Sequence, residues 1–73
     1  MPDIAHLPGP EEPASAFAAV VSLRRLAGRL EIAAVVEAIG QGWTWSQVGE
    51  ALGISAQAAH KKFASEVRAR RGQ

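Results

Sequence analysis

A chain of 73 residues holds one domain at most and buries proportionally little surface. Its economical solutions are a few helices with short connections, or a dimer that shares its core. The absence of cysteine excludes disulfides and thiolate metal sites and fits a reducing cytoplasm. The formal charge of +1 hides an asymmetry: Asp3, Glu11 and Glu12 give residues 1–13 a charge of −3. Lys61, Lys62, Arg68, Arg70 and Arg71 outweigh Glu50 and Glu66 to give residues 42–73 a charge of +3. The basic half therefore points to an anionic partner.

Residues 1–13, "MPDIAHLPGPEEP", contain all four prolines and read as an irregular acidic arm. His6 in this arm has no second metal-type ligand beside it, so it reads as solvated. Pro13 suits the first position of a helix, with acids just before it. Across residues 14–41, Phe17, Val20, Leu23, Ala27, Leu30, Ala34 and Ala38 recur at helical spacings. The pattern predicts one long helix, or two with a bend near Gly28. Residues 32–39, "IAAVVEAI", are apolar on nearly every side and should touch more than one neighbour. Gly40 and Gly42 then stop the helix. Thr44 and Gln47 make a capping box for a helix over Trp45–Leu52, which ends at Gly53. Ser55 caps a last helix from Ala56 to about 68–70, with Ala59, Phe63 and Val67 inward and a fraying tail. No strand signal is present, and the predicted class is all-α: three or four helices with a long N-terminal helical segment. No signal-peptide pattern and no apolar run near the roughly 20 residues of a membrane span occur, so a soluble cytoplasmic protein is expected.

Two short helices joined by "LGIS", residues 52–55, predict a helix-turn-helix over residues 42–70. Trp45, Val48 and Leu52 supply the apolar face of its first helix. Gly49 leaves room for a close crossing, and Gly53 allows a left-handed turn residue. Ile54 is expected to tuck beneath both helices. Trp43 stands where a hydrophobic staple to Val48 would form. Both tryptophans are expected to hold this helix against residues 32–39.

The stretch "GWTWSQVGEALGISAQAAHKKF" resembles small bacterial helix-turn-helix proteins with the pattern G-W-[ST]-W-x-x-[IV]-G-x-x-L-G-[IV]-S-x-Q-A. Relatives of that module include the C-terminal DNA-reading region of sigma factors. The close match covers residues 42–63, with looser similarity back to about Leu23. The resemblance implies a DNA-binding unit; double-stranded DNA is the expected partner, and a nucleoid-associated place in the cytoplasm is the expected setting. Relatives usually carry Arg or Lys after the turn serine, where this chain has Ala56.

In such proteins the N-terminal part of the second helix enters the major groove. Ala56, Gln57, His60 and Lys61 are expected to face outward, with Ala64 one turn on. Gln57 has the donor–acceptor pair that matches adenine, and Ala56 could meet a thymine methyl. His60 and Lys61 could reach guanine acceptors or phosphate. Thr44 and Ser55 sit at helix starts suited to phosphate. Lys62 and Arg68, with Arg70 and Arg71, add salt-sensitive attraction.

The leading expectation is a sequence-specific or nucleoid-type DNA-binding protein, a small transcriptional regulator that reads the major groove with the helix at about 56–68. The alternative is the same fold used as a docking module on RNA polymerase, a sigma factor or another regulator. The Val20–Leu23–Ala27–Leu30–Ala34 seam approximates a heptad and predicts a homodimer through residues 14–40. An enzyme is not expected. No metal-ligand cluster, phosphate loop or paired catalytic carboxylates appear, and no cofactor is implied.

Overall fold

A computed structural model describes residues 9–72. They form three helices: α1 (Pro13–Gly40), α2 (Trp45–Leu52) and α3 (Ala56–Arg71). The fold is all-α, as the sequence predicts. No described helix is long and apolar enough to cross a membrane. Met1, Asp3 and His6 of the acidic arm lie outside the described residues.

Pro13 occupies the start of α1, where its missing N–H leaves no bond unmade. The helix then runs unbroken for 28 residues, so the question of a bend at Gly28 resolves to one helix. Gly40 belongs to the helix, and the stop is made beyond it. The Trp43 N–H donates to the Ala38 carbonyl and the Gly42 N–H to the Ile39 carbonyl, both at 3.0 Å. With Gly42 left-handed at φ 95°, these are the two bonds of a Schellman ending. Trp43 is thus the residue that closes α1, and it directly precedes Thr44, which opens α2.

The Thr44 hydroxyl accepts from the Gln47 N–H at 3.1 Å, and the Gln47 side chain accepts from the Thr44 N–H at 2.8 Å. The capping box read from the sequence is therefore formed. At its other end α2 stops at Gly53, with φ 74°, and the Ile54 N–H returns to the Gly49 carbonyl at 2.9 Å. Ser55 restarts the chain as a helix by accepting from the Ala58 N–H at 3.0 Å. α3 continues to Arg71, beyond the expected frayed end.

The core is small. Val35 of α1, Val48 of α2, and Ala59, Phe63 and Val67 of α3 form it, with Ile32, Val36, Ala38, Ile39 and Trp45 packed around them. Residues 32–39 do touch both later helices, as their all-round apolarity predicts. Two expectations for the motif core are corrected. Leu52 is 38% exposed and Ile54 37% exposed, so neither is tucked under the helices. The cause is the length of α2: at eight residues it presents barely two turns, and Trp45 and Val48 fill the space toward α3.

α3 lies alongside α1 and runs in the same sense. Lys62 meets Glu31 at 3.2 Å, and further along the Arg71 guanidinium fills the space beside Gly40. A cation there complements the negative end of α1, whose own last turn carries no base. No core residue of α1 precedes Ile32, so the first half of the helix projects past the rest. The long dimension of 44 Å is about the 42 Å that a helix of this length spans. The radius of gyration, 15.4 Å, exceeds the roughly 11 Å of a compact chain of this size.

Glycine substitutions separate packing from propensity. A Cβ on Gly49 would stand 2.6 Å from the Ile54 carbonyl oxygen and 2.9 Å from Ser55 backbone atoms, whereas one on Gly28 would meet nothing. Gly49→Ala is expected to destabilise by about 1–3 kcal/mol despite its better helix propensity. Gly28→Ala is expected to stabilise by about 0.5–1 kcal/mol. Urea unfolding followed by helical circular dichroism reads both, and equal effects at the two sites would contradict the close approach at Gly49.

Candidate functional site

The outer surface of α3 is decided by what its inner surface must do. Ala59, Phe63 and Val67 recur every four residues and are buried, which rotates the opposite side toward solvent. Gln57, Lys61 and Arg68 fall within about 40° of one another round the helix, at roughly 100° per residue. All three are exposed. No acid shares this stripe: Glu66 is turned aside and pairs with Arg70 at 3.4 Å. Neither Lys61 nor Arg68 has an ion-pair partner among the described residues. The result is one amide and two uncompensated cations on a single exposed face.

The other residues expected to face outward divide into different roles. Ala56 is half-buried, because the first turn of α3 already leans toward the core side. Ala64 is buried rather than outward, lying on the flank of the Phe63–Val67 stripe. His60 keeps solvent exposure but sets its ring edge-to-face on Trp45, with centroids 5.2 Å apart and planes at 84°. That contact joins α3 to α2 and fixes the imidazole at the border of the stripe. Lys62 points the other way. Its ammonium meets Glu31 and lies 5.2 Å from the Phe63 ring centroid, so it serves the α1–α3 contact. Thr44 and Ser55 both spend their oxygen lone pairs on caps, and both remain at the surface.

Sequence reasoning therefore places Gln57 and Lys61 on the exposed face and misplaces Ala56 and Ala64, and it does not foresee that Arg68 shares that face. The engagements of Lys62 and Arg71 are long-range contacts with α1, and no local pattern announces them. The Arg70–Glu66 pair has a readable i, i+4 spacing, which the charge tally of the basic tail passes over.

A second surface went unread in the sequence. An open groove of about 330 Å³ runs between α1 and α2, lined chiefly by Ala34, Ala38, Trp43, Val48, Ala51 and Leu52. Trp43, 44% exposed, forms its rim instead of joining the core. The available signal was local: a tryptophan that both closes one helix and opens the next must stand beside the groove between them. Among the described residues no cluster of His, Asp or Glu could hold a metal ion.

Side chains that hold the fold and those that project from it should respond differently to truncation. Ser55→Ala removes the α3 cap and is expected to lower stability by about 1 kcal/mol. Lys61→Ala and Arg68→Ala should each stay within about 0.5 kcal/mol of the parent, since neither side chain holds a partner among the described residues. Denaturant midpoints check this; a large loss at Lys61 or Arg68 would show that the stripe is structural. No family model, curated protein or solved structure matches the chain, so its functional reading rests on this geometry and on the sequence motif.

Proposed function

We propose that this protein binds double-stranded DNA, with α3 in the major groove, and acts as a small transcription-associated regulator of the cytoplasm and nucleoid. The observation that carries the reading is the stripe of Gln57, Lys61 and Arg68 on the second helix of a short helix–turn–helix, free of acids and of structural duties. Gln57 stands near the N-terminus of α3, where base edges are met in such motifs. Its amide has the geometry for bidentate pairing with adenine. Lys61, one turn on, and Arg68, two turns further, are spaced to follow the phosphate backbone. The surface hydroxyls of Ser55 and Thr44, at the starts of α3 and α2, supply donors to phosphate without loosening the caps, since capping uses them as acceptors. The resemblance of residues 42–63 to helix-turn-helix DNA-binding proteins supports the same reading.

The fold also limits this activity. Ala56 offers no charge where the resembling proteins carry one, and its half-burial keeps it from a base edge. Lys62 is held by Glu31. Each domain then engages few phosphates, and affinity for one short site is weak.

Fluorescence anisotropy of the purified protein on duplex DNA across a salt series tests the proposal. Binding is expected to weaken as salt rises, with the shallow slope of a domain that makes about two phosphate contacts. Lys61→Ala and Arg68→Ala should each weaken all sequences alike and reduce the magnitude of the salt slope by about 1. Gln57→Ala should instead relax sequence choice at about one base pair, by roughly 1–3 kcal/mol. No binding at low salt from folded protein would overturn the reading. A partner retained across the salt series would favour the docking-module alternative on RNA polymerase or another regulator.

A further inference from the structure

α1 carries two apolar faces, and only one is used. At about 100° per residue, Ile32, Val35, Val36 and Ile39 share the side that meets α2 and α3. Ala16, Val20, Leu23, Ala27, Leu30 and Ala34 alternate at spacings of four and three on the opposite side. That is an unbroken a/d heptad seam. Along it Val20 is 41% exposed and Leu30 62% exposed, with Ala16 and Leu23 half-buried. The flank of the seam nearest the groove carries Phe17, Arg24, Glu31 and Ala38 at seven-residue intervals. Phe17 is 70% exposed.

We propose that this face is closed by a second copy of the chain, with the two α1 helices antiparallel and their two-fold axis between Ala27 and Leu30. Three observations fix the occupant and its direction. The first is charge. In an antiparallel pair the groove-side flanks of the two helices lie together. This register sets Arg24 beside the partner's Glu31, where it joins the Lys62 ammonium that already meets that carboxylate within its own chain, and the reverse pair follows by symmetry. A one-heptad shift sets Arg24 against the partner's Arg24, and a parallel pair aligns neither flank charge with its opposite. The second is size. The same register packs Leu23 against the partner's Ala34 and Leu30 against the partner's Ala27, so every leucine of the seam's centre meets an alanine. The third is the groove. The partner's Phe17 arrives beside Ala38, at the mouth of the cleft rimmed by Trp43 and Leu52. The exposed Phe17 ring of one copy thus reaches the apolar groove of the other.

The arrangement also explains why α1 extends so far past its own core. An isolated stretch of some 15–18 helical residues is marginal in water. A chain with so small a core gains the burial it lacks by sharing a surface. The proposal is independent of DNA binding, and its readouts involve no nucleic acid.

The test is sedimentation combined with directed cross-linking, which the absence of native cysteine makes unambiguous. The full chain is expected to shift from the 7.7 kDa monomer toward twice that mass as concentration rises through the micromolar range. Under mild oxidation, a mixture of Leu23→Cys and Ala34→Cys chains should give a disulfide-linked dimer. Neither variant alone should do so, because like positions then lie about 16 Å apart along the pair at 1.5 Å per residue, well beyond disulfide reach. Arg24→Glu should raise the dimer dissociation constant while leaving the helical signal unchanged. A monomer mass at all concentrations overturns the proposal. Self-linking of Leu23→Cys shows a parallel pair and overturns the direction. A dimer that fails to link in the mixture uses another face and overturns the site.

Discussion

The close approach at Gly49 is the constraint from which the rest of the molecule follows. The backbone of Ile54 and Ser55 passes where a Cβ would stand. The chain can therefore leave α2, reverse through Gly53 and begin α3 within three residues, 53–55. Had the turn been held farther away, α3 would cross α2 at greater distance, and Ala59 would not reach full burial. Once α3 is seated there, its rotation is no longer free. Phe63 and Val67 must follow Ala59 inward, and Gln57, Lys61 and Arg68 must follow one another outward. The chemistry of the exposed stripe is thus set by a glycine that contributes no chemistry.

Trp43 does a related job on the other side. It supplies the last hydrogen bond of the α1 ending and the residue before the α2 cap, so the angle between these helices is fixed by one backbone position. The side chain then stands at the α1–α2 groove, 44% exposed, with its backbone bound to Ala38. An exposed tryptophan on an apolar groove is a surface that favours being covered. The projecting half of α1 presents the same condition along its length. Both features come from a fold that has more apolar surface than its three short layers can bury.

How much of this the sequence discloses depends on the range of the interaction. Caps and stops are local, and Thr44, Gln47, Gly53 and Ser55 act where their spacing predicts. Helix boundaries follow, because proline, glycine and the capping box act within one turn. The seam on α1 is legible too, since seven-residue spacing survives in a linear string. What fails is the assignment of side chains whose fate depends on a distant helix. Ile54 and Leu52 look like core residues locally, yet a two-turn helix leaves them at the edge. Lys62 looks like its neighbour Lys61, yet only one of them faces Glu31. The difference between adjacent lysines is a 100° rotation on a helix whose orientation is set elsewhere.

The division of cations bears on function more than their number. Of the five basic residues after position 42, Lys62, Arg70 and Arg71 are turned to Glu31, Glu66 and the end of α1. Surface pairs of this kind stabilise weakly, by less than about 1 kcal/mol each, so their main effect is to orient the side chains. They draw positive charge toward α1 and leave Lys61 and Arg68 as the pair that defines the outward field of α3. In the proposed DNA complex, two phosphate contacts give a shallow salt dependence and little affinity for a single domain. In the proposed dimer, a second domain held at a fixed distance by paired α1 helices makes the next contacts intramolecular and raises their effective concentration. On this view a long helix with an unused apolar face and a sparsely charged reading helix are one solution: the contacts that each copy lacks are supplied by joining two.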